Sequence, residues 1–122
     1  MNNRTVVSVV RVRDSISETV RKALELAGGI PCPVNSETKV LIKPNIMRAE
    51  TSSVGTTTNI EIIRAAGEIF HEMGAKVIIG EASGNQYNTE DIYSNLRIRE
   101  QLCDFEVLDL DRDRIIQVEI EG

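Results

Sequence analysis

Gly74-Ala75-Lys76-Val77-Ile78-Ile79-Gly80-Glu81-Ala82-Ser83-Gly84 is the stretch that decides the fold. Gly74 is the residue type that stops a helix, because the left-handed conformation of a C-terminal cap costs it nothing. Lys76 to Gly80 is a short apolar run and reads as a strand. Glu81 to Gly84, with Asn85 behind it, changes to small and polar residues and reads as a loop leaving the strand. Upstream, Thr58-x-x-Glu61 is a capping box that opens a helix to about Met73, with Ile62, Ile63, Ala66, Ile69, Phe70 and Met73 as its apolar stripe. His71 falls on the other face with Arg64, Gly67 and Glu68, as a surface residue near the helix end. Before that helix, Lys39-Val40-Leu41-Ile42 is another strand and Pro44, which has no N–H, ends its ladder. A strand, a helix and a second strand in this order favour a parallel sheet with the helix packed against it.

The pattern extends both ways. Thr5 to Val10 is a β-branched run and reads as a further, buried strand. Asp14 to Gly28 reads as a helix, with Ser15 and Glu18 as its capping box, Ile16, Val20, Ala23, Leu24 and Ala27 on one face, and Gly28-Gly29 as its stop. Thr89, with Asp91 and Ile92 behind it, begins a less regular helix to about Cys103. Phe105–Leu110 and Ile115–Ile120 read as two more strands, separated only by Asp111 to Arg114 and so joined as an antiparallel hairpin. The expected architecture is α/β, a mostly parallel sheet of about five strands in the order β-α-β-α-β-α-β-β, within a single domain spanning 1–122. The last strand runs to within two residues of Gly122, which suggests the N-terminal part of a longer domain.

Composition narrows the function. The 122 residues carry a net charge of −5, which disfavours nucleic acid as a partner, since binding phosphates needs a cationic surface. Aromatics make up 3%, so the core is aliphatic. Two cysteines, Cys32 and Cys103, are too few for an iron–sulfur cluster, and one histidine leaves a zinc site or a Ser-His-Asp triad without its parts. No apolar stretch reaches membrane-spanning length and Met1 to Arg4 is not followed by a signal core, so the cytoplasm is the default compartment. There is no Walker A or dinucleotide glycine fingerprint. Asp109-x-Asp111-x-Asp113 imitates a calcium loop but has Arg114 where glycine is needed and Ile120 where glutamate is needed.

Parallel sheets bind ligands at the carboxyl ends of their strands, and two loops leave strands in that sense. The first, from Lys43 to Thr58, brings Lys43, Asn45, Gly55, Thr56 and Thr57 ahead of a helix N-terminus. A cation, hydroxyls and free N–H groups together suit an oxyanion. The second brings Glu81, Ser83, Gly84 and Asn85; a carboxylate at a strand end can serve as general base or metal ligand. Against this, Thr58 serves equally as a helix cap, Lys43 as a surface cation over a sheet end, and Ser-Gly-Asn as a solvated turn.

Val40-Leu41-Ile42-Lys43-Pro44-Asn45, then Gly55-Thr56-Thr57-Thr58, then the Gly74 to Gly84 stretch occur in this order, and together they resemble domain-of-unknown-function family 362. The resemblance covers roughly residues 5 to 120. Family members are usually longer, and some are fused to iron–sulfur modules whose cysteines are absent here. The resemblance carries Lys43, Asn45, Thr56, Thr57, Glu81, Ser83 and Gly84 over as motif residues. The resulting expectation is a site for a small anionic ligand or metal, with Glu81 and Lys43 in catalytic roles and Asn45, Thr56, Thr57, Ser83 and Gly84 binding ligand. The set names no cofactor and no metal ligands. The alternative is an accessory module in redox metabolism working with an iron–sulfur partner. An apolar strand near the chain end would leave an open edge, which favours a homo-oligomer.

Overall fold

A computed structural model of the chain describes residues 5–84 and 86–120. Met1 to Arg4, Asn85, Glu121 and Gly122 lie outside the described residues. Helix α1 (Ile16–Leu26) leads to strand β1 (Lys39–Ile42), a single 3-10 turn (Ser52–Val54), helix α2 (Ile60–Glu72), strand β2 (Lys76–Glu81), helices α3 (Thr89–Asn95) and α4 (Ile98–Gln101), and strand β3 (Glu106–Asp109), which runs into a 3-10 turn (Leu110–Arg112). The sheet has three strands in the order β1-β2-β3, all parallel. The α/β class and the parallel crossovers are therefore as the periodicity predicts, and the strand count is lower.

The two outer strands expected from sequence do not form among the described residues. Residues 5–10 and 115–120 carry no strand pairing. Val7 and Val9 are 80% and 92% exposed, and Ile115 and Ile120 are 90% and 89% exposed. The Ser8 hydroxyl donates to the Ala23 carbonyl at 2.6 Å, so the first segment lies along α1 and not on the edge of β1. The 3-10 turn after β3 ends on extended backbone at Asp113, and among the described residues no hairpin returns to the sheet. A β-branched run states a preference for extended backbone; pairing depends on a partner edge that the run itself does not supply.

Register explains the core. Val40 pairs with Val77, and Ile42, Ile79 and Val107 stand in one row, so their side chains share one face. Ile63 of α2, Ile92 and Tyr93 of α3, Ile98 of α4 and Leu102 just after it cover that face, with Ile46 closing its top. Each such side chain contributes about 1.5–3 kcal/mol on burial. The opposite face carries Leu41, which is 54% exposed, and Ile78, half-buried. Helix α1 packs against α2, tied by an Arg21–Glu72 ion pair at 2.6 Å, and buries none of its residues completely.

One helix boundary is as expected and two differ. Ser15 caps α1 as its capping box predicts, accepting from the Glu18 N–H. Helix α2 is capped by Asn59 through the Glu61 N–H, because Thr58 is engaged elsewhere. The expected third helix is broken in two at Arg97, which sits in the left-handed region with φ 52° and ψ 39°. The stripe of α2 is also rotated: Ala65 and Gly67 are buried and Ile62 is exposed. The Phe105 ring lies where a Gly67 side chain would be, with ring carbons 2.7–3.1 Å from a Cβ built there. Alanine in a helix interior normally gains about 1 kcal/mol over glycine. Here overpacking reverses the sign, and Gly67→Ala is expected to destabilise the domain by about 1–3 kcal/mol in urea unfolding. A more stable Gly67→Ala variant would contradict this packing of Phe105 on α2.

Candidate functional site

The carboxyl ends of β1 and β2 are joined through one buried carboxylate. Glu81 is the last residue of β2 and is 1% exposed. Its Oε1 accepts from the Ala82 N–H at 2.8 Å and pairs with Lys43 Nζ at 2.6 Å; its Oε2 accepts from the Ile46 N–H at 3.0 Å. Lys43 follows β1, and its side chain remains about half exposed while its ammonium reaches inward. The Ser83 hydroxyl donates to the Ile46 carbonyl at 2.7 Å, so both backbone polar groups of Ile46 are held, one by the end of β2 and one by the loop after it. Ile46 itself is fully buried. A carboxylate placed out of water is tolerated because each oxygen has a donor or a cation.

A second chain of bonds continues towards β3. The Ser83 N–H donates to Thr89 Oγ1 at 2.9 Å, and the Thr89 hydroxyl donates to Asp111 Oδ2 at 2.6 Å. The Tyr93 hydroxyl accepts from the Glu81 N–H and donates to the Leu108 carbonyl, both at 2.9 Å, bridging β2 and β3 at their carboxyl ends. Burial pushes the Tyr93 phenol up to about 12; the Glu81 N–H bond opposes this, and the Glu81 and Asp109 charges add to it. Asp109 pairs with Arg112 at 3.2 Å.

The structure separates the predicted site residues into two groups. Lys43, Glu81 and Ser83 converge around Ile46, with Gly84 next in line, exposed and at φ 81°. Asn45, Thr56 and Thr57 instead close the first loop on itself. The Asn45 N–H donates to Thr58 Oγ1, its Nδ2 donates to the Thr56 carbonyl, and the Thr58 N–H returns to the Asn45 carbonyl. Ile46 and Thr57 form an isolated antiparallel bridge. The Thr56 hydroxyl donates to Glu50. Thr58 is thus the latch of the loop, which leaves the helix cap to Asn59. Sequence reasoning missed Arg48, whose guanidinium lies 5.6 Å from the Tyr87 ring centroid and links the two loops from outside. It also missed Tyr93. A tyrosine in a chain with so few aromatics was a usable signal, whereas nothing around Arg48 marks it. Cys32 and Cys103 are exposed free thiols, and among the described residues no group of His, Cys, Asp and Glu is placed to hold a metal ion. No helix among the described residues is long and apolar enough to cross a membrane.

These features define an α/β domain with a three-stranded parallel sheet and two strand-end loops fastened together at its carboxyl edge. A model of the family described as domain of unknown function (DUF362) matches residues 40–122, and the chain belongs to that family. No curated protein and no solved structure matches the chain.

Two consequences are measurable. Glu81→Ala leaves the buried Ile46 N–H, the part-buried Ala82 N–H and the half-exposed Lys43 ammonium without their acceptor, a class of change that costs about 1–3 kcal/mol. Urea unfolding should show that loss, and Glu81→Gln should recover only part of it, since an amide presents a donor to one of three donors. A variant as stable as the parent would contradict the anchoring role. Tyr93 gives a pH dependence whose sign is fixed: its phenol holds its proton more tightly in the folded state than the ordinary value of about 10. Its contribution is therefore complete below pH 10 and is lost as pH rises through about 12. The expected loss, on the order of 3 kcal/mol, should steepen the fall of the unfolding midpoint in that window relative to Tyr93→Phe.

Proposed function

We propose that this domain binds a small anionic ligand, a carboxylate or phosphate, above the carboxyl ends of β1 and β2. The observation that carries the reading is the convergence of two cations from the first loop on the second: Lys43 reaches Glu81, and Arg48 lies over Tyr87. Among the described residues Arg48 is in no ion pair, so its charge is available to a ligand. Gly84, exposed in the left-handed region and with open space beside its Cα, lets backbone come close to a bound group. Lys43 supplies a point charge and Arg48 a planar fork that suits two oxygens at once. Glu81 acts in this reading as the anchor that orients the Lys43 ammonium, because its burial and its three partners leave no oxygen facing outward. Ser83 sets the second loop at the height of the first through Ile46.

Thermal unfolding against phosphate, pyrophosphate and citrate at low ionic strength tests the reading. A ligand present at 100 times its dissociation constant adds about 2.7 kcal/mol, which moves the midpoint by several degrees. Arg48→Ala should abolish most of the shift and Lys43→Gln should reduce it, while Arg13→Ala, on an exposed segment, leaves it intact. The shift should shrink as salt rises. An upward shift that survives Arg48→Ala, or no shift with any anion, would sink the proposal.

A further inference from the structure

A separate cavity of about 290 Å³ is walled by Glu50, Ser52, Thr57 and Ile60 from the first loop and the start of α2, and by Leu96 and Arg97 from the turn between α3 and α4. Its volume sits near the small end of ligand pockets, about 300–1,000 Å³. Two anomalies meet there. The Thr57 hydroxyl oxygen is buried and, among the described residues, has no hydrogen-bond partner. Such a group is uncommon because its lost hydration is not repaid, and it calls for a specific reason. Arg97, in the facing wall, is held at φ 52° and ψ 39°, a conformation costly for a residue with a Cβ. The strain sets the corner between α3 and α4 and thereby the width of the cavity.

We propose that this cavity binds a small uncharged amphipathic molecule, an amide or alcohol with a short branched aliphatic part, whose polar end pairs with the Thr57 hydroxyl. The lining fits that class. Ile60, Leu96 and Ile98 offer an apolar floor. Glu50, which accepts from the Thr56 hydroxyl, and Arg97, tied to Glu100, set opposite charges on the two walls, so a net charge of either sign gains at one wall what it loses at the other. A rotation about the Thr57 Cα–Cβ bond turns the hydroxyl from the wall to the ligand. The site is separate from Lys43 and Arg48, neither of which lines the cavity.

Isobutyramide is the probe, titrated into the isotopically labelled full chain and followed by amide chemical shifts, with isobutyrate and isobutylamine as charged controls. Saturable shifts confined to residues 50–60 and 95–101 are expected, with isobutyramide bound at least several-fold more tightly than either control. Thr57→Val should raise the melting temperature of the unliganded protein, because it removes an unpaired buried hydroxyl without changing shape, and should weaken isobutyramide several-fold. Ser52→Leu, which fills the cavity from its half-buried wall, should abolish the shifts, and Arg48→Ala should leave them unchanged. Absence of saturable shifts overturns the proposal. So does a Thr57→Val variant that melts lower than the parent, which would mean the hydroxyl is paired with internal water, or one that binds isobutyramide as tightly as the parent.

Discussion

A carboxylate removed from water at the end of the central strand is the constraint from which the upper half of this domain is built. Glu81 cannot be left buried without donors, and the donors nearest to it come from three places: its own following peptide, the Ile46 amide and the Lys43 ammonium. Satisfying it therefore pulls the loop after β1 onto the end of β2. The same satisfaction places Ile46 over the core, where it is fully buried and caps the row of Ile42, Ile79 and Val107. Polar closure above and apolar closure below are one event, because the peptide that donates to Glu81 carries the side chain that seals the core.

The Tyr93 hydroxyl extends this arrangement to β3. It stands between the Glu81 N–H and the Leu108 carbonyl, so a side chain from α3 is part of the fastening between two strands. The ring beneath it is core, and the Arg99 guanidinium lies 5.5 Å from the ring centroid. A single aromatic thus joins helix, core and sheet end. The first loop gains rigidity by a different route, the reciprocal bonds of Asn45 and Thr58, which need no burial because both strands of the turn supply donors and acceptors. That rigidity holds the loop that carries Lys43 and Arg48 and the Thr57 wall of the cavity.

The alternation of apolar runs and helical stripes made the β-α-β core legible, since β1, α2 and β2 each carry their own period and their own stops at Pro44 and Gly74. The ends were not legible. A run such as Thr5 to Val10 declares extended backbone and says nothing of whether an edge is there to receive it; Val9 and Ile115 stand almost fully exposed. Thr58 and Asn59 show the same limit at one residue's scale. Both are capping types, and only the competing demand of the Asn45 amide decides which of them caps α2.

Sequence by itself determined the α/β class, the parallel crossovers, the aliphatic core and the placing of Lys43, Glu81 and Ser83 on strand-end loops, because those follow from local periodicity and from the chemistry of stops and caps. Tertiary structure alone decided what the residues do once there. It turned Glu81 into the acceptor for a distant amide, buried Gly67 under Phe105, brought Arg48 over Tyr87 and parted Thr57 from Lys43. Each of these depends on a contact between residues far apart in the chain, and such contacts leave no period and no spacing to read.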